Sequence, residues 1–377
     1  MALKNSDIAA FMSALKIIAV GDIMLGDQEL KVGFGVASVI RKKGVNYIFD
    51  RVKSIFKDKD IVFANLEAIL SDNNLNPELL ASVSFRGSPD CLAGLKSSGF
   101  NTLAVANNHV MGHGEDAFFD TIQRLEKSGF NVVGLADSGG GSRPVVINSG
   151  GKIIGFLGYS LVGDYNKNAN FPYCDNPTDQ QIISDITNLK SEVDILIVSI
   201  HWGYEFIQYP SPRQIQLARR MVEAGANVIL GHHPHCLQGM ELYQGALICY
   251  SLGNFAFDFK TSKLRSSMIL SLEFDQDNRL SYSIIPVYIN HSYQPLPLWN
   301  SRRGRRILER IDGISGKIPE IASSGMEEYL NLVKIQKQRM RLIVRFNFIL
   351  NLWRFPPRYI YQALHKFIQR RNRMAVQ

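Results

Sequence analysis

The chain has 377 residues, 46% hydrophobic and 20% charged, with a formal net charge of +8. That balance leaves ample length for a buried core and excludes collagen-like and low-complexity classes. Four cysteines (Cys91, Cys174, Cys236, Cys249) lack CxxC spacing, which excludes a zinc knuckle or a disulfide framework.

Residues 1–15 read as a short leader without the basic region, apolar core and cleavage site of a secretory signal. No run of about 18 uncharged apolar residues occurs, so a membrane-spanning helix is not expected, and the chain is placed in the cytoplasm or peripheral to the membrane. The first strand is predicted over 15–20 and ends at Gly21-Asp22. A helix over 45–57 leads to a strand over 60–64 that ends at Asn65-Leu66-Glu67. Residues 71–80 form a polar loop, and a helix over 90–98 precedes a strand over 102–106. That strand ends at Asn107-Asn108-His109, ahead of Gly112-His113-Gly114 and a helix over 115–128.

A strand over 131–135, a glycine-rich loop over 138–142 and a hairpin over 145–159 follow. The next helix, 178–192, feeds the apolar strand 194–200, which opens at His201-Trp202-Gly203-Tyr204-Glu205. A helix over 210–224 feeds a second apolar strand, 226–230, which opens at Gly231-His232-His233-Pro234-His235. Residues 246–255 read as a strand entering a polar turn at Asn254, and 268–274 and 279–288 pair as antiparallel strands. Alternating helices and strands that give way to strand pairs imply a mixed sheet system covered by helices.

In an α/β protein, ligands sit in the crevice at the carboxyl ends of the strands. The polar groups delivered there are Asp22, Glu67, Asn108 with His109, His201, and the trio His232, His233 and His235. Mixed oxygen and nitrogen donors suit Mn²⁺, Fe or Zn²⁺ and disfavour an all-oxygen cage for Mg²⁺ or Ca²⁺. The inventory is that of a two-metal hydrolase. Trp202 and Tyr204 are expected at the cleft rim. Glu205 either orients His201 or bonds a backbone group. Arg86 either contacts an anionic substrate or lies on the surface. Asn254 is expected to fix a turn beside the site.

Six motifs in order, Gly21-Asp22, Asn65-Leu66-Glu67, Asn107-Asn108-His109, His201 to Glu205, Gly231 to His235 and Tyr250 to Phe255, resemble the poly-γ-glutamate capsule synthesis protein CapA family over residues 16–260. That family is similar to calcineurin-like metallophosphoesterases, which implies a four-layer α-β-β-α sandwich (16–290) and two divalent ions. The resemblance assigns Asp22 and His235 to the first metal, His201 and His232 to the second, and Glu67 to the bridging position. Asn108 would ligate one metal, and His109 would protonate a leaving group or steady charge. His233 is a ligand or the spacer of a ligand pair. Arg86, Asn107, His113, Glu205 and Asn254 are grouped with the substrate. Two positions depart from the pattern: Met24 stands where phosphoesterases carry the histidine of Asp-x-His, and Gly112 stands where the family usually has an aspartate.

The segment 291–377 is expected to be a basic helical extension, because after Trp299 the chain carries 17 Lys and Arg against 5 acids. Helical spacing over 326–353, a break at Pro356-Pro357 and a second helix over 359–373 suit either a hairpin packed on the domain or a partner, or a membrane-surface contact through 326–373. Specific nucleic-acid binding is not expected, as no recognised module accompanies the charge. Function then lies between a metal-dependent hydrolase of a phosphoester or amide acting on an anionic polymer or phosphoester, a non-catalytic scaffold of a polymer-synthesis complex, and a peripheral-membrane adaptor.

Overall fold

The computed structural model describes residues 15–163 and 172–373; of the expected leader, only Leu15 lies among them. In chain order the strands are β1 (Leu15–Ile23), β2 (Ile61–Leu66), β3 (Ile69–Leu70), β4 (Arg86–Gly87), β5 (Thr102–Ala104), β6 (Asn131–Val133), β7 (Val145–Ser149) and β8 (Lys152–Ser160). They continue with β9 (Ile195–His201), β10 (Val228–His232), β11 (Met240–Tyr243), β12 (Ala246–Cys249), β13 (Asn254–Ala256), β14 (Ser266–Phe274), β15 (Leu280–Ile289) and β16 (Pro295–Pro297). The longer helices are α1 (Val36–Lys43), α2 (Cys91–Ser97), α3 (Glu115–Lys127), α4 (Asp179–Lys190), α5 (Pro212–Glu223), α6 (Arg302–Ser315), α7 (Ile318–Ser323), α8 (Met326–Asn351) and α9 (Pro357–Arg373).

Two sheets pack face to face. The first runs β16-β15-β14-β1-β2-β5-β6, with β13 also paired to β1; the second runs β11-β12-β10-β9-β8-β7. Each has a parallel centre and antiparallel strands at one or both ends. Strand alternation sorts the side chains. Ile17, Ala19, Ile61 and Phe63 meet Ile197, Val228 and Leu230 between the sheets. Val62, Leu66 and Leu103 face the outer helices of the first sheet, and Leu196, Val198 and Ile200 face those of the second. The result is the four-layer α-β-β-α sandwich that the resemblance implies.

Several boundaries differ from expectation. The segment 45–57 forms only two short turns, Tyr47–Phe49 and Lys53–Phe56, whereas α1 lies just before it. Four β-branched residues in 45–57 (Val45, Ile48, Val52 and Ile55) favour short turns over a continuous helix. The single strand expected over 246–255 is two strands in different sheets, because the chain crosses from one sheet to the other between Cys249 and Asn254. Past residue 290 the first sheet continues with β16 on β15. Helix α6 then buries Ile307 and Ile311 in the inter-sheet core.

Helix α8 is clamped at both ends. Tyr329 and Val333 pack on Ile207, while Phe348 joins Val32, Phe34, Phe355 and Tyr359. Among the described residues, no helix is long and apolar enough to cross a membrane.

Candidate metal centre

The carboxyl ends of the parallel strands of both sheets open at one edge of the sandwich. On β2 the alternation that sends Phe63 inward sends Asn65 inward as well, and Glu67, one residue past the strand's end, keeps to the same side. On β9 and β10 it does the same for His201 and His232, which are partners in register. The same alternation explains Trp202. It points to the helix side, is 1% exposed, and donates its indole N–H to the Tyr250 carbonyl at 2.9 Å, so it is core rather than rim.

Asp22 needs a different explanation. Ile18 and Val20 face the outer helices, and uninterrupted alternation would send residue 22 the same way. The β1–β2 register shifts between Ala19 and Asp22, a bulge that restores Ile23 to the helix side and turns Asp22 inward. Gly21 permits this. A Cβ there would lie 1.8 Å from the Gly253 carbonyl oxygen, the same atom that accepts the Asp22 N–H at 2.9 Å.

The inward groups converge. Asp22 Oδ1 accepts from Asn65 Nδ2 at 2.9 Å and from His232 Nδ1 at 3.0 Å. His235 Nε2 lies 3.7 Å from Glu67 Oε1, and His109 Nε2 lies 3.5 Å from the same oxygen. His201 Nε2 is 2.9 Å from Asn108 Oδ1, and the His201 and His233 rings are 4.8 Å apart. All seven expected metal-ligating residues therefore occupy one buried pocket. Within it, donor atoms of Asp22, Glu67 and His235 lie within 4.8 Å of one another, the one such group among the described residues. His233 and His235 hold left-handed φ angles of 94° and 56°, strain that fits a loop shaped for its side chains.

Electrostatics single out Glu67. It is fully buried and both its carboxylate oxygens lack a hydrogen-bond partner. An ionised carboxylate so placed costs several kcal/mol unless a cation or proton answers it. Burial drives its carboxyl well above the ordinary range; His235 opposes, while Asp22 and Glu205 reinforce. Burial would also raise Asp22, but hydrogen bonds and charge from His232 and His235 hold it well below the usual carboxylate value. His235 is lifted to about 9, since Glu67 and Asp22 outweigh burial. Burial and neighbouring imidazoles push His201 and His233 well down, and His109 to about 3. The buried Nε2 of His232 and Nδ1 of His233 also lack partners. A divalent cation satisfies this donor set, which offers acidic oxygens and neutral imidazole lone pairs together.

Asn254 fixes the key imidazole. Its amide N–H groups donate to the carbonyls of His235 and Leu264 at 2.8 and 2.9 Å, so its oxygen faces His235 Nδ1 at 3.0 Å. Nδ1 therefore carries the proton, and Nε2 is turned to Glu67. Asn65 does the equivalent for Asp22. It is absent from the expected site residues, although its place two residues before Glu67 on one strand face is the available signal. Asn107 is a brace: it donates to Asn65 Oδ1 and to the Leu66 carbonyl.

Two residues grouped with the substrate lie elsewhere. Arg86 is buried and donates to the carbonyls of Ser71 and Asn73 at 2.8 Å, tying down a loop. His113 Nε2 is spent on the Ser84 carbonyl at 2.9 Å. Glu205 instead lines a cleft of about 570 Å³ with Asn108, Tyr204, His233 and Lys337, open to the pocket. Met24 is fully buried with Ala68 and Phe257, so apolar packing replaces the expected first-motif histidine.

Residues 16–259 match the family described as bacterial capsule synthesis protein PGA_cap. The chain is 32% identical over 284 residues to the PGA biosynthesis protein CapA of Bacillus subtilis (strain 168), covering 74% of this chain and 72% of that one. It is 28% identical over 306 residues to the capsule biosynthesis protein CapA of Bacillus anthracis, covering 79% and 72%. Among solved structures it is similar to a hypothetical protein from Thermus thermophilus, with a TM-score of 0.45 and 14% identity over 72% of this chain and 98% of that one.

Proposed function

This chain belongs to the bacterial capsule synthesis protein PGA_cap family, and on that premise we propose that it is a metal-dependent hydrolase acting in the synthesis or processing of poly-γ-glutamate or a related envelope polymer. The observation that carries the reading is Glu67, a wholly buried carboxylate with neither oxygen hydrogen-bonded, facing Asp22 and His235.

Asp22, Glu67 and His235 would hold one divalent cation of the Mn, Fe or Zn kind. His201, His232, His233 and Asn108 would hold a second. When bound, such ions supply Lewis acidity and a nucleophile at neutral pH. The chain's own residues do the rest. Asn65 and Asn254 orient Asp22 and His235, and the closed inter-sheet core keeps bulk water from one side of the pocket. His109 stands at the opening, a tenth of its side chain exposed and its ring stacked on Phe85 at 4.3 Å, placed to exchange a proton with a bound substrate. Glu205 and Lys337 give the adjoining cleft groups of both signs for positioning a charged polymer.

The test combines metal analysis with turnover of phosphodiesters and γ-glutamyl amides. The expected result is bound transition metal, activity with Mn²⁺, and loss of both in His235→Ala. Purified protein that binds no such metal, and that added Mn²⁺ fails to activate, would overturn the reading. Buried Met24 in place of the first-motif histidine favours a second reading, a scaffold that keeps the fold without turnover. Metal binding without hydrolysis of either substrate class would decide for it.

A further inference from the structure

The C-terminal helices carry a surface that the metal centre does not use. On α8, the side packed on the domain includes Tyr329, Val333 and Phe348. The opposite side presents Ile335, Leu342, Phe346 and Ile349, 58–65% exposed, and the following turn adds Trp353 at 81%. At 100° per residue these five fall on one line, about 27 Å long at 1.5 Å per residue. Apolar surface of that extent, fully in solvent, marks an interaction site.

Charge selects the partner. Between residues 326 and 373, 11 Lys and Arg face 2 acids. Lys334, Arg341 and Arg345 flank one side of the ridge and Arg339 the other, and none of the four makes an ion pair among the described residues. A second copy would bring the same positive excess against itself. An apolar line bordered by cations matches an anionic lipid surface, where side chains enter the acyl boundary and arginines meet headgroups.

We propose that α8 and the Trp353 turn form an interfacial membrane-docking face, lying in the plane of an anionic leaflet. The inner side of the same helix carries Lys337, which sits over the Tyr204 ring at 5.2 Å and lines the cleft with Glu205. Docking therefore holds the cleft about one helix diameter, ~10 Å, from the headgroups.

Flotation of the full-length chain with vesicles of phosphatidylglycerol and phosphatidylcholine in equal parts tests this, against vesicles of phosphatidylcholine alone. Binding is expected only to the anionic vesicles and should weaken with salt. The pair Phe346→Ser and Ile349→Ser should abolish it. The pair Arg341→Gln and Arg345→Gln should weaken it, by about fivefold for each charge removed. Leu242→Ser, an equally exposed leucine on β11 (61%), should leave it unchanged. In a Trp299→Phe background, Trp353 emission should shift to the blue on binding, since Trp202 is already buried. Absence of flotation would overturn the proposal, as would flotation indifferent to the helix variants. A dimer in solution that Phe346→Ser dissolves would overturn it too and assign the face to a second copy.

Discussion

Two pairs of buried acids sit close together on this fold, and they are answered differently. Asp22 and Glu67 occupy the pocket between the sheets, while Asp27 lies five residues beyond Asp22 and meets Asp258, four residues beyond Asn254. Around Asp27 the protein supplies the donors itself: Ser38 N and Gly33 N at 3.0 Å and Ser38 Oγ at 2.5 Å, with Arg41 at 3.8 Å. Asp258 Oδ2 accepts from Gln28 N at 3.0 Å, while its buried Oδ1 has no hydrogen-bond partner. A Cβ on Gly35 would lie 2.3 Å from an Asp258 oxygen and 2.5 Å from an Asp27 oxygen, so the two carboxyl groups converge there. Burial, strengthened by Asp27, raises Asp258 to about 8, and a proton completes that cluster at neutral pH. No backbone or hydroxyl donor reaches either oxygen of Glu67. Burial alone does not mark a ligand site; unanswered acceptors beside imidazole lone pairs do.

Four measurements sharpen or break that contrast. The largest effect is expected from metal removal. With free Mn²⁺ about 1,000-fold above its dissociation constant, chelation should cost wild type about 4 kcal/mol of unfolding free energy. Glu67→Gln should erase that difference and leave the chelated protein at least as stable as chelated wild type, because an amide tolerates burial better than a carboxylate. Denaturant unfolding with Mn²⁺ and with chelator reads both. Next, Asp27→Ala should destabilise by about 2–4 kcal/mol in either condition, as it strands the Ser38 and Gly33 donors. A loss confined to the metal-loaded protein would mean that the two clusters are not distinct.

Asn254→Ala should spare the fold yet weaken Mn²⁺ binding by about 10- to 100-fold in calorimetric titration, through the freed orientation of His235. The smallest effect concerns pH. The folded chain keeps a proton on Asp258 that the unfolded chain releases in the ordinary carboxyl range, near about 4. Its contribution is therefore complete below that range and is lost as pH rises through about 8. Asp258→Asn has no such proton to lose, so its stability relative to wild type should improve from pH 6 to pH 9, on the order of 1–3 kcal/mol. Thermal unfolding at the two values checks it, and a flat difference would exclude the proton on Asp258.

Much of the site is legible because strand alternation is local. Once Ile195 and Ile197 face a core, His201 must share their side, and the same holds for Glu67 after Ile61 and Phe63. Arg86 and His113 fall outside the site because a motif neighbour in sequence is not a neighbour across a loop: their partners, Ser71, Asn73 and Ser84, come from turns whose path no periodicity records. Trp202 is core rather than rim for a reason already present on its strand, since the alternation that buries Ile200 places it with the outer helices.

The sequence by itself determined which strands end in ligating groups, which of their side chains share a face, and the family to which those groups belong, since each follows from short-range spacing. Tertiary structure decided the rest. The bulge that turns Asp22 inward depends on Gly253 pressing against Gly21, and the crossing of residues 250–253 between sheets brings Asn254 to His235. Whether a buried acid has donors depends on backbone N–H groups that arrive from distant segments. Those contacts are long-range, so only the packed chain sets them.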